Sequence, residues 1–371
     1  MKNDKIYFEN LDSIRFIAAT MVFLGHGLSD SYKYLPNNSL KNFLDLISSG
    51  ATGVSIFFVL SGFLITYLLI LELELNSKIN IKNFYIRRVL RIWPLYFAIG
   101  IISFIIYNSP EALIGIGDRI FYSLSFLSNF VKCFYSGILM PEAVTWSVSI
   151  EEQFYLFWPL LFLFLPHKFW LPAILFTIIC SIVFRVFNFN DATILYFHSL
   201  SVLLDLGIGG LFAYLIKTQN KFKSFFENTA TKSHFVFFLI SVCLLYWNVK
   251  IFDFKYGHAI GRIFISTSFA CIICAQAITK SNSILNLKNF SFANKWGKYT
   301  YGIYLIHPIA LTIIGLIAEA INFQKVNTIN AFIIAAVGYI LTLFISKLSY
   351  TFYESRFLKL KYKFATIKTH E

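Results

Sequence analysis

The feature that most constrains this chain is a recurrence of about ten stretches, each roughly twenty mostly apolar residues long. They lie near 11–30, 51–71, 92–110, 144–165, 168–187, 196–216, 235–250, 259–279, 299–318 and 329–350. A segment of this kind crosses a bilayer as a helix, because its backbone polar groups must be satisfied internally where there is no water. The expected fold is therefore all-α, a polytopic membrane helix bundle of about ten transmembrane helices. Composition agrees, since 57% of the 371 residues are hydrophobic and only 14% are charged, which excludes an ordinary soluble domain. The net charge of +13 would suit nucleic acid if the basic residues formed one patch, but they are dispersed between the apolar segments, so nucleic acid is not an expected partner.

The dispersal carries its own information. With the N-terminus inside, 21 of the 32 basic residues fall on cytoplasmic segments, 9 fall outside, and Arg15 and Lys347 lie within spans. That bias follows the positive-inside rule and predicts that both termini are cytoplasmic. Residues 119–136 hold only a 12-residue uncharged run between Arg119 and Lys132, too short to cross, so an interfacial or re-entrant helix is expected there. Lys2 and Lys5 before an apolar run imitate a signal peptide, but Asp12 and Arg15 interrupt the run and no cleavage site follows, so the segment is read as retained. Cys271 and Cys274 form a CxxC inside a span, without the further ligands of a zinc site, and read as packing residues; no metal is expected.

Ionisable groups inside spans are costly and mark either functional sites or buried pairs. In the first span, LDSIRFIAATMVFLGHG, eleven residues separate Arg15 from His26. At about 100° per residue both lie on one helix face, about 16 Å apart. A histidine in a bundle serves as a general base, or else meets headgroups or caps a carbonyl; Arg15 orients a ligand, or else pairs with Asp12 one turn away. Before the third span, NFYIRRVLRIWPLYF sets Arg88 and Arg91 side by side, suited to phosphate or to anionic lipid headgroups. Glu151 and Glu152 sit in the fourth span and point about 100° apart, so only one of them readily faces a given cavity; a structural ion pair is the competing reading. Tyr301, Tyr304 and His307 form a polar stripe at i, i+3 and i+6 in KYTYGIYLIHPI, either lining a site or belonging to an interfacial belt. Asp205 and Arg185 read as interior pairing or packing residues.

Taken in order, these blocks resemble the acyltransferase-3 family of integral-membrane O-acyltransferases. The resemblance rests on LDSIRFIAATMVFLGH with Arg15 and His26, GVSIFFVLSGFLIT from Gly53 to Thr66, Arg88 to Arg91 in RIWPLY, TWSVSIEEQFYLFWP, and YGIYLIHP. Departures are Ser55 where many members carry an acid, Ser355 and Arg356 where lysine and proline are common, and Thr300 where serine is frequent.

No Pro/Ser-rich linker or low-complexity tract appears and few residues follow Tyr353, so one transmembrane domain over 1–355, a basic cytoplasmic tail over 356–371 and no appended soluble domain are expected, although some members of the family carry a C-terminal soluble domain. The resemblance implies residence in the cytoplasmic (inner) membrane. It implies transfer of an acyl group, usually acetyl from acetyl-CoA, to a hydroxyl of a carbohydrate or lipid-linked glycan such as a surface polysaccharide or lipopolysaccharide. In that scheme His26 is the base, Arg15 orients the donor or stabilises the oxyanion, and Glu151 or Glu152 holds a histidine or a cation. Arg88 and Arg91 hold the phosphates of CoA, and Tyr301, Tyr304 and His307 help to line the donor site. An acyl-histidine intermediate is the mechanistic alternative. Membrane lipids are partners, and a glycan-assembly protein is admitted as another. A secondary transporter with a buried Arg/Glu/His relay and a non-catalytic scaffold are the competing classes; no internal repeat of the transporter kind is found.

Overall fold

Each of the ten apolar stretches lies on a helix. The computed structural model describes residues 8–28, 39–106, 116–134, 144–280, 283–323 and 328–365, and among these there is no strand. The long helices are α1 (Glu9–Gly27), α2 (Gly50–Asn76), α3 (Ile81–Ile106), α4 (Thr145–Phe164), α5 (Trp170–Phe187), α6 (Ser199–Thr218), α7 (Thr231–Tyr246), α8 (Gly257–Ile278), α9 (Thr300–Ala320) and α10 (Thr328–Ser349). Among the described residues, six helical stretches are long and apolar enough to cross a membrane. A seventh is added if Asn220–Glu227 and Thr231–Tyr246, bent by 99°, count as one span. This is fewer than the ten crossings expected. Helices α1 and α4 are long enough but carry Asp12, Arg15 and His26, or Glu151, Glu152 and Gln153, and α7 has only 16 residues.

Residues 119–134, the described part of the 119–136 stretch, form no further span. Two short helices, Ile116–Leu124 and Ser128–Phe134, meet at a turn where Phe126 takes a left-handed φ of 52°. Lys2 and Lys5, on which the sidedness of the N-terminus was read, lie outside the described residues. The expected tail from 356 begins instead as an ordered helix, Ser355–Lys361, which packs on α3 and buries Leu358.

Local sequence sets the helix ends. Ser49 caps α2 by accepting from the Thr52 N–H at 3.2 Å, and Ser77 ends it in the left-handed region with its N–H on the Leu73 carbonyl. Helix α2 is the centre of the bundle, packed against α1, α4, α6 and α8. Its tightest approach is to α6: a Cβ at Gly62 would lie 1.9 Å from the Leu206 carbonyl oxygen, and one at Gly209 would lie 2.0 Å from that of Val59. Only glycine permits this backbone contact, the small-residue packing through which helices associate in lipid.

Asp205, Arg262 and Arg185, charged residues inside the bundle, are satisfied within the protein. Asp205 on α6 takes the guanidinium of Arg262 on α8 through two groups, at 3.0 Å from Nε and 2.5 Å from Nη2, and also accepts from Ser266. Arg185 donates to the carbonyls of Leu195, His258 and Ala259 and to Ser201. Cys271 and Cys274 are free thiols packed within α8.

Candidate active site

Helices α1 and α9 bring His26 and His307 together. Nδ1 of His26 lies 2.8 Å from Nε2 of His307, and the two rings stack with centroids 5.1 Å apart and planes 14° apart. His307 is wholly buried, and its Nδ1 lies 3.3 Å from the Ile303 carbonyl, one turn earlier on α9. A carbonyl only accepts, so that contact puts the His307 proton on Nδ1 and makes its Nε2 an acceptor. His26 then donates from Nδ1, and its lone pair is on Nε2. The pairing therefore selects one tautomer of His26.

One turn back along α9, Tyr304 meets α4. Its hydroxyl is 2.6 Å from that of Ser147 and donates to the Val144 carbonyl at 3.2 Å, while its ring centroid lies 6.0 Å from that of His307. Tyr304 and Ser147 both line a narrow cavity of about 130 Å³ whose lining does not include the histidines. Val54, Phe57 and Phe58 of α2 form apolar walls, and Ser61, Arg15, Arg88, Arg91, Glu151, Tyr155 and Tyr301 supply polar groups.

The adjacent glutamates divide as their 100° separation requires. Glu151 faces the narrow cavity, accepting from Ser61 at 2.6 Å and from Tyr155 at 3.2 Å. Glu152 is not part of the cavity wall. It accepts from the indole N–H of Trp93 at 2.9 Å, and its other oxygen is buried without a hydrogen-bond partner. Arg88 lies over the rings of Phe84 and Tyr155, at 5.5 and 5.4 Å from their centroids. Arg87 is committed elsewhere, to Glu72 and the Phe364 carbonyl. Tyr301 donates to the Ile92 carbonyl at 2.8 Å, tying α9 to α3 beside Arg91.

At the arginine end the narrow cavity meets a wider one of about 420 Å³. Arg15, Arg91 and Tyr301 line both. Lys288, Lys295, Lys298 and Asn294 complete the wider chamber, with Asp12 and Glu354 as its carboxylates. Arg15 is paired with Asp12, as their spacing of three predicts. The short helix Ser291–Gly297 carries Asn294 and Lys295, and Lys298 follows its end. It lies on α1 so closely that a Cβ at Gly297 would sit 2.4 Å from that of Asp12.

The structure thus gathers Arg15, Arg88, Arg91, Glu151, Tyr301 and Tyr304 around one cavity. His26 and His307 lie outside its lining, next to Tyr304, and Glu152 lies to one side. Of the two alternatives for the glutamates, a histidine or a cation, Glu151 lies with Arg88 and Arg91, and the partner of His26 Nδ1 is His307. Arg15 lines both chambers about three helical turns from His26, as their spacing requires. Sequence reasoning passed over Ser61, Ser147, Asn294 and the three lysines. The only available signal for the lysines was their crowding between 288 and 298.

Fold and site define a helical membrane protein with a charged, two-chambered interior and a histidine pair next to Tyr304 of its wall. The chain belongs to the acyltransferase-3 family, whose sequence model, described as an acyltransferase domain, matches residues 8–351. It is 27% identical over 375 aligned positions to the peptidoglycan O-acetyltransferase OatA of Listeria monocytogenes, covering 94% of this chain and 55% of that protein. The candidate peptidoglycan O-acetyltransferase YrhL of Bacillus subtilis is 26% identical over 322 residues, 81% of this chain and 48% of the relative. The O-acetyltransferase OatA of Staphylococcus aureus is 37% identical over 131 residues, 33% of this chain and 22% of its own. The chain spans about half the length of the first two. No solved structure gives a significant match.

Proposed function

We propose that this protein is a membrane O-acetyltransferase that takes an acetyl group from cytoplasmic acetyl-CoA and places it on a hydroxyl of a carbohydrate, with His26 as general base. The observation that carries this reading is the alignment of three features along one path. These are a cationic mouth, a narrow chamber with apolar walls, and a histidine whose tautomer is set by a second buried histidine. The path suits a long donor with a charged head and a thin, mostly uncharged arm.

In this scheme the arrangement has ten crossings and cytoplasmic termini, so that the arginine end faces the cytosol and the histidine end faces outward. The arm of the donor enters between α2, α4 and α9 and brings the thioester up to Ser147 and Tyr304. Nε2 of His26 takes the proton from the acceptor hydroxyl as its oxygen attacks the thioester carbon. The C–O bond forms, the C–S bond breaks, and the proton passes on to the departing thiolate. His307 keeps Nδ1 of His26 protonated throughout and accepts charge by hydrogen bonding. Ser147 and Tyr304, bonded at rest to each other and to the Val144 carbonyl, turn one hydroxyl toward the oxyanion and stabilise it. Arg15 orients the donor at the junction of the two chambers, and Glu151 holds Arg88 and Arg91 in place by opposite charge.

The relatives' names make peptidoglycan the first acceptor to test, ahead of lipopolysaccharide or an exported polysaccharide. The experiment is transfer of labelled acetyl from acetyl-CoA by the purified protein in nanodiscs to peptidoglycan fragments and to other glycans, with His26→Ala as control. Acetyl ester on a sugar hydroxyl, absent with His26→Ala, is the expected result. A folded wild type that neither binds acetyl-CoA nor forms ester overturns the reading. Uptake of an anion or glycan into sealed vesicles without transfer would instead establish a transporter.

A further inference from the structure

The wider chamber asks for a ligand that the arginine motif does not explain. Arg88 faces only the narrow chamber, between the rings of Phe84 and Tyr155 and close to Glu151, where its charge is already opposed and the walls are largely apolar. The wider chamber, about 420 Å³, is of ligand size. Its wall brings together five cations, Arg15, Arg91, Lys288, Lys295 and Lys298, against two carboxylates, Asp12 and Glu354. One carboxylate is already matched by Arg15. The surplus of positive charge belongs chiefly to the three lysines, which reach the chamber from exposed positions on Leu287–Asn289, Ser291–Gly297 and the turn into α9.

Two further features separate a nucleotide from a simple anion. Asn294 lines the chamber, and its Oδ1 is buried without a hydrogen-bond partner. An amide oxygen needs a donor; a base amine or a sugar hydroxyl supplies one and a fully ionised phosphate does not. Tyr350 also lines the chamber, edge-on to Tyr299 with centroids 5.0 Å apart, and offers an aromatic face near Lys298.

We infer that this chamber seats the phosphorylated nucleotide end of the acyl-CoA donor, with Lys288, Lys295 and Lys298 on its phosphates and Asn294 on its base or ribose. The inference rests on the donor proposed above and extends it. The nucleotide end carries about four negative charges at neutral pH, in keeping with the surplus in the wall. Arg15, Arg91 and Tyr301 then mark the point where the nucleotide gives way to the arm. Anionic lipid headgroups share the phosphate chemistry and are the other source of a ligand for these lysines.

The test uses the full chain in nanodiscs of phosphatidylcholine, measuring binding of CoA and of 3′-dephospho-CoA by calorimetry. Wild type should prefer CoA by about tenfold, the effect of one charge-assisted phosphate contact. Lys288→Gln/Lys295→Gln/Lys298→Gln should weaken CoA binding by at least about tenfold and abolish the preference, and the triple Lys→Arg variant should restore both. Asn294→Ala should weaken both nucleotides alike. If the triple Gln variant keeps the affinity and preference of wild type, the inference falls while the donor reading stands. If wild type binds no CoA, both fall. If the lysine variants change only the response to added phosphatidylglycerol, the chamber is a headgroup site and the inference is overturned.

Discussion

Replacing His307 by phenylalanine and by glutamine tests whether a buried histidine governs the base. Phenylalanine preserves a ring against His26 and Phe23, whose centroids are 5.1 and 6.1 Å from that of His307, but offers no acceptor. The Nδ1–H of His26 then loses its partner in the 2.8 Å contact. An unmatched buried donor costs about 1–3 kcal/mol, and the tautomer that escapes this cost moves the proton to Nε2 and removes the base. Turnover should therefore fall roughly 5- to 150-fold. Glutamine restores an acceptor oxygen, and His307→Gln should recover most of the rate. The assay is acetyl transfer at saturating donor, with thermal unfolding in the same detergent to confirm that both variants are folded. Wild-type turnover in a folded His307→Phe would refute the tautomer argument, as would equal loss in the two variants.

Three other outcomes follow from the geometry. Glu151→Gln removes the negative charge facing Arg88 and Arg91 while keeping polar atoms for Ser61 and Tyr155; kcat/KM for the donor should fall about tenfold or more, against less than about threefold for Glu152→Gln. Asp205→Ala leaves Arg262 without its carboxylate and should cost about 3–5 kcal/mol, read as a lowered unfolding temperature, with Asp205→Asn intermediate. Gly209→Ala forces α2 and α6 apart by about 1 Å, since its Cβ would stand 2.0 Å from the Val59 oxygen, and should destabilise by about 1–3 kcal/mol or more. Gly100→Ala, with no atom within 4 Å of its Cβ, should instead be neutral or slightly stabilising in the same melts.

The helices were legible because apolar length is a local property, and each of the ten stretches indeed carries one. So were the single-helix relations: Asp12 with Arg15, the shared cavity of Arg88 and Arg91, and the inward stripe of Tyr301, Tyr304 and His307. The number of crossings was harder to read, because the residues that build the interior make α1 and α4 less apolar. Partners from different helices were not legible at all. His26 and His307 are 281 positions apart, and Asp205 and Arg262 are 57 apart; no spacing rule connects them. The lysines at 288, 295 and 298 were absorbed by the inside-positive bias, and the seven-residue helix Ser291–Gly297 is too short to display a face.

The contact between Ser147 and Tyr304 has an electrical consequence. In the orientation proposed above, with the chambers hydrated and open to the cytosol, the conducting solution reaches well into the bundle, and the insulating layer is reduced to the stretch between that hydroxyl pair and the outer surface. The membrane voltage then drops over this short stretch rather than evenly across the protein. A unit charge moved through the full field gains or loses about 2.3 kcal/mol per 100 mV. On the proposed mechanism His26 stands within that stretch and its proton crosses part of the field, so that turnover in sealed vesicles should change with the imposed voltage.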